Sequence, residues 1–148
     1  MLNTTWIVVA DSGQAKIFRT IKARLFNGKA NGSDLTLVSE YNHPESRKRD
    51  QDLVADKYGN FGNSSFTEET DPKRHENDIF AQQLAKALYH GHSENNYHDL
   101  ILIAPPAFMG MIHKHLSNEV KKLISKEIEK DYTRSNEKEL VSQLQVYL

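Results

Sequence analysis

Two short runs, Trp6-Ile7-Val8-Val9-Ala10 and Leu100-Ile101-Leu102-Ile103-Ala104, constrain this chain more than any other feature. Each is apolar at every position, so neither shows the alternation of a strand with one wet face. A strand with both faces hidden has to lie inside a sheet that is covered on both sides. The pattern predicts one mixed sheet in which these two strands are adjacent, parallel and central. The second run follows a helical segment, so its parallel partner is reached by a right-handed crossover.

The rest of the chain fills in around that pair. Asp11-Ser12-Gly13-Gln14 supplies turn residues, and Ala15–Thr20 alternates, which predicts a hairpin. Arg24-Leu25-Phe26 reads as an extension of the second strand towards turns at Asn27-Gly28 and Asn31-Gly32-Ser33. Leu35–Tyr41 predicts a third strand. From about residue 42 to 70 the pattern dissolves into charge and turn formers, a loop longer than compact domains usually carry. Asp71-Pro72 predicts the cap and first position of a helix, with Phe80, Leu84, Ala87 and Leu88 on its buried face and Gly91 as its stop. Helices follow through Phe108, Met109 and Ile112 and then Val120 and Leu123. Ile124–Asp131 reads as an edge strand, and Ser135 as the cap of a last helix carrying Leu140, Val141 and Leu144. The order β-β-β-α-β-α-β-α predicts a single ribonuclease-H-like α/β domain over residues 1–148. Its five-stranded mixed sheet has three antiparallel strands, then two parallel additions.

Composition excludes several function classes. The chain has 148 residues, 38% hydrophobic and 26% charged, with a net charge of -1. That is one soluble domain, and its surface as a whole is not built to hold a polyanion. The absence of cysteine removes disulfides, thiolate nucleophiles and Cys-ligated zinc. Met1–Thr5 has no basic region of an export signal, and no segment has the ~18 apolar residues of a membrane span. A cytoplasmic location and no membrane partner are expected. No phosphate-binding glycine loop, dinucleotide fingerprint or nucleophile elbow occurs, so no cofactor is expected.

The candidate chemistry is sparse. A two-metal nuclease needs carboxylates at neighbouring strand ends. Asp11 qualifies, but the second apolar run ends in Ala104-Pro105-Pro106, while Asp99 sits at its far end. Glu76 and Asp78 in the first helical turn are ordinary partners of the helix dipole. Seven histidines raise the question of a metal, yet His113 and His115 face different ways on a helix. His90, His92 and His98 lack a fourth ligand at telling spacing, so no metal site is expected. Arg47-Lys48-Arg49 can grip phosphate, although Glu45, Asp50 and Asp52 neutralise much of its field. The competing structural reading closes the loop onto the sheet by pairing Arg47 or Arg49 with Asp11, Asp50 or Asp52.

Several ordered motifs carry a resemblance. His43-Pro44-Glu45-Ser46-Arg47, Arg49-Asp50-Gln51-Asp52-Leu53 and Asp71-Pro72-Lys73 with His75-Glu76 resemble the bacterial host attachment protein family. Ala104-Pro105-Pro106-Ala107-Phe108-Met109-Gly110 and Glu127-Ile128-Glu129-Lys130-Asp131 continue the match, and Trp6–Asp11 fits its opening. The resemblance covers nearly the whole chain. It implies a phenotype, attachment to host cells, and no mechanism. The family is in turn distantly similar to the middle domain of archaeal and eukaryotic peptide-chain release factors. That domain carries a Gly-Gly-Gln tripeptide in the loop after the third strand. The corresponding residues here, Asn42–Thr70, contain none, and Ser12-Gly13-Gln14 lies on the wrong connection. Release-factor hydrolysis of peptidyl-tRNA is therefore not expected.

Three readings follow. The first is a non-enzymatic cytoplasmic binding domain whose partner is RNA, the ribosome or a protein. Its binding residues are Arg47, Lys48, Arg49, Asp50 and Asp52, with Lys130 and Asp131. The second is a hydrolase using Asp11, His43 and His75, which should then share one pocket. The third is an adhesion factor acting on host cells.

Overall fold

The computed structural model of this chain describes residues 3–26, 31–43 and 72–147. The motif residues Arg47, Lys48, Arg49, Asp50 and Asp52 lie outside them, as does the expected cap Asp71. The described elements are β1 (Thr5–Asp11), β2 (Gln14–Thr20), α1 (Lys22–Phe26), β3 (Thr36–Asn42), α2 (Pro72–Ser93), β4 (Asp99–Ile103), α3 (Pro106–His115), α4 (Asn118–Lys121), β5 (Ile124–Ile128) and α5 (Glu137–Gln145). A 3₁₀ turn, Gly32–Asp34, precedes β3.

The strands form one sheet in the order β3-β2-β1-β4-β5. β1 pairs antiparallel with β2, and β2 with β3, while β1 pairs parallel with β4, and β4 with β5. This is the ribonuclease-H-like arrangement that the element order predicts. Successive residues of β1 point into two different cores, which is why the run is apolar throughout. Trp6, Val8 and Ala10 pack under α2 and α3 against Phe80, Leu84, Leu88 and Ile112. Ile7 and Val9 pack on the opposite face with Ile101, Ile103, Leu25 and the α5 residues Leu140, Val141 and Leu144. Fully hiding one such aliphatic side chain contributes about 1.5–3 kcal/mol.

Four local expectations are corrected. Residues 22–26 form a helical turn and do not prolong β2, and this seats Leu25, 1% exposed, in the second core. Gly91 does not end α2, which runs on to Ser93. The glycine serves a close approach instead: a Cβ there would stand 2.5 Å from the Trp6 ring. Asn136 caps α5 in place of Ser135, because Glu139 three residues on returns a bond to the Asn136 N–H and completes a capping box. The last strand stops at Ile128, so Glu129–Asp131 belongs to the loop that follows it.

Candidate functional site

Parallel strands leave a crevice beyond their carboxyl ends, and here that crevice lies beyond β1 and β4. Asp11 closes β1 there. Its Oδ1 accepts the N–H of Gly13 at 2.7 Å and of Gln14 at 2.9 Å, which folds the tight connection into β2. Its Oδ2 is 3.0 Å from the hydroxyl of Thr133, on the loop after β5. The same hydroxyl lies 2.6 Å from Asp131 Oδ1, which also accepts the Thr133 N–H at 3.0 Å. Thr133 is 2% exposed. A hydroxyl has one proton to give, so two carboxylates converge on a single donor. Burial pushes the Asp131 carboxyl up, but the Thr133 hydroxyl and N–H, the Asp11 carboxyl and the Arg134 charge outweigh it. Asp131 therefore titrates below the ordinary aspartate range.

Around this pair opens a cleft of about 480 Å³. The turn residues Ser12 and Gly13 form one edge, and Lys73 and Asn77 of α2 form another. Asp131 and Arg134 close the side towards β5. Pro105, Ala107, Phe108 and Met111 make an apolar wall from the start of α3. Pro105 stands at the cap position of α3 and gives no side-chain cap, and the positive end of that helix lies at the cleft wall.

The family described as "Protein required for attachment to host cells" matches residues 6–144. The chain belongs to that family. An uncharacterized protein of Rickettsia prowazekii (strain Madrid E), RP470, is 30% identical over 132 residues, covering 88% of this chain and 85% of the relative. Among solved structures, the archaeal translation termination factor aRF1 is similar at 13% identity with a TM-score of 0.49, over 84% of this chain and 30% of that one. Dom34 of S. cerevisiae, a translation termination-like factor, is similar at 15% identity with a TM-score of 0.37, over 88% and 30% respectively. This attachment-family chain thus spans under a third of the length of those two proteins.

Of the residues singled out from sequence, the fold of this family member brings Asp11 and Asp131 together in the cleft. It does not bring the proposed hydrolase residues together there. His43 is 8% exposed and lies with its ring 4.8 Å from that of Phe80. Its Nδ1 is 2.7 Å from the Ser12 carbonyl, which can only accept, so Nδ1 carries a proton. Its N–H donates to the Gly13 carbonyl at 2.8 Å. His43 thereby fastens the end of β3 to the β1–β2 turn. His75 is exposed on the first turn of α2, and neither histidine lines the cleft. Lys130 is exposed and does not line it either.

Three of the remaining histidines pair with carboxylates. His113 Nε2 is 2.5 Å from Glu127, His115 Nε2 is 3.0 Å from Asp78, and His90 pairs with Glu94. Among the described residues, no three metal-ligating side chains gather. Burial pushes the Asp78 carboxyl up, but His115 and Lys114 outweigh it and hold it below the usual range. Sequence reasoning missed Lys73, Asn77, Thr133 and Arg134. Lys73 stood in a quoted motif, and Asp131-Tyr132-Thr133 has the spacing of an aspartate that accepts a bond two residues on. Arg134 and Asn77 carried no signal.

Proposed function

We propose that this protein is a cytoplasmic, non-enzymatic binding domain that holds RNA through its phosphates. The supporting observation is the cleft itself. It sets Lys73 and Arg134 beside the N-terminus of α3, and the histidines that a hydrolase would need do not line it. His43, pinned to the turn at the cleft edge, is the residue from which the chain runs on to Arg47-Lys48-Arg49. On this reading the attachment phenotype is indirect and works through the expression of other proteins. Among the described residues no helix is long and apolar enough to cross a membrane.

The test is RNA binding as a function of salt. Wild-type affinity should fall steeply with ionic strength, because each neutralised phosphate releases counterion. Replacing Arg47, Lys48 and Arg49 together by Ala should weaken binding and flatten that slope, with the melting temperature unchanged. A triple variant that binds RNA as the wild type does and melts early would make the motif a structural clamp and overturn the proposal.

A further inference from the structure

The cleft has three chemically distinct walls, and no simple ion satisfies all of them. A bare phosphate would meet Lys73, Arg134 and the α3 N-terminus, but it would also face Asp11 and Asp131. A bare cation would meet the carboxylates and be repelled by the two basic side chains. Neither uses the apolar wall of Pro105, Ala107, Phe108 and Met111. The ligand that fits has an anionic group, hydroxyl donors and an apolar body, held at short distances from one another.

The carboxylates are poised to accept. Asp131 receives both bonds from Thr133 on Oδ1, and its side chain is exposed towards the cleft. Thr133 cannot satisfy Asp11 Oδ2 and Asp131 Oδ1 with the same proton. A vicinal diol supplies the donors that are missing. Carboxylates at the ends of parallel strands take ribose hydroxyls in this way, while helix N-termini and arginine take the phosphate. A volume of about 480 Å³ is in the range of small-ligand sites and admits one nucleotide.

We infer that the cleft recognises a ribonucleotide unit, with the ribose 2′,3′-diol on Asp131 and Asp11, the phosphate at Arg134 and Lys73, and the base along the Phe108–Met111 wall. This deepens the RNA reading and rests on it for the choice of ligand. Two sources carry that chemistry. A free ribonucleoside monophosphate has it, and so does the last residue of an RNA whose 3′ end is unblocked. Internal residues of RNA lack the diol.

The experiment compares ribo- and 2′-deoxyribonucleoside monophosphates of the same base by calorimetry. A second arm uses 5′-labelled RNA oligonucleotides ending in either a free hydroxyl or a 3′-phosphate. The ribose form should bind about tenfold more tightly, the value of one hydrogen bond to a charged acceptor. Asp131→Asn should bring the ribose form down to the deoxyribose level, and Arg134→Ala should weaken both alike. Asp131 is exposed, so a circular dichroism spectrum matching wild type is expected for that variant. Preference for the unblocked RNA assigns the site to RNA ends. Equal binding of the two RNAs, with the sugar preference kept, assigns it to free nucleotides. Equal affinity for both sugars, or a preference that survives Asp131→Asn, overturns the inference. RNA binding that depends on Arg47-Lys48-Arg49 but ignores sugar and end chemistry overturns it alone and leaves the RNA reading standing. Nucleotide binding with no RNA binding at low salt does the reverse.

Discussion

Replacing Thr133 by Val tests the carboxylate pair directly, because the two side chains have nearly the same shape and differ by the hydroxyl. Thr133 is 2% exposed, so water cannot stand in for the lost group at its own position. The hydroxyl donates to a charged oxygen, a bond worth about 1.5–3 kcal/mol when both partners are sheltered. Asp131 is exposed and regains some hydration, which lowers the expected loss to about 1–2 kcal/mol. For a chain of this size that corresponds to a fall in melting temperature of roughly 2–8 °C at pH 7. The sign with pH follows from the Asp131 carboxyl, which titrates lower in the folded protein than in the unfolded chain. A depressed carboxylate stabilises above its unfolded value of 3.8, and that stability is lost as pH falls through the folded value. The difference between Thr133→Val and wild type should therefore be full at pH 5–7 and shrink below about pH 4. Thr133→Ser, which keeps the donor, should recover most of the loss. Thermal melts between pH 3 and 7 decide it. An unchanged melting temperature at pH 7, or the same deficit at pH 3 as at pH 7, would refute the argument.

Further expectations can be checked by melting curves and fluorescence. Gly91→Ala gains about 1 kcal/mol in helix propensity, but its Cβ would meet Trp6 ring carbons at 2.5 and 2.6 Å. That ring is 5% exposed and stacked on Tyr97 at 4.6 Å, so overpacking of about 1–3 kcal/mol wins. The variant should melt earlier with shifted emission from Trp6, the chain's single tryptophan, and an unchanged or higher melting temperature would show that the ring yields freely. Tyr97→Phe removes the hydroxyl that donates to the Leu88 carbonyl at 2.6 Å and should cost about 1 kcal/mol. Burial raises the Tyr97 phenol well above its ordinary 10, so its contribution is complete below pH 10 and is lost as pH rises beyond it. Alkaline unfolding of wild type should thus be steeper than that of Tyr97→Phe, and coincident alkaline limbs would contradict this.

How much of this was legible in the sequence depended on whether a residue's role was local or was set by the sheet. β1 and β4 could be read because burial on both faces leaves an unbroken apolar run, and α2 because Phe80, Leu84 and Leu88 repeat at helical spacing over many turns. The one-turn helix at Lys22–Phe26 is too short to show a period, and Leu25 reaches its core position only through tertiary packing. Gly91 looked like a terminator because glycine ends helices, whereas its use is to admit the ring of a residue far away in sequence. The cap of α5 was in fact decidable, since Asn136 has Glu139 three residues on and Ser135 has Lys138.

The candidate site failed to declare itself for a related reason. The natural place for a partner to Asp11 is the end of the neighbouring strand β4, but there the chain has prolines. The second carboxylate comes instead from the loop beyond β5, one strand further out, and its link Thr133 is 122 residues from Asp11. Only the strand order β1-β4-β5 brings that loop back over the end of β1. The same loop carries Arg134, and α2 returns Lys73 to the opposite edge. A cleft whose charged residues come from three different connections leaves no spacing to find. Its chemistry is written in the topology, and a binding role for it can be argued only after the sheet has been ordered.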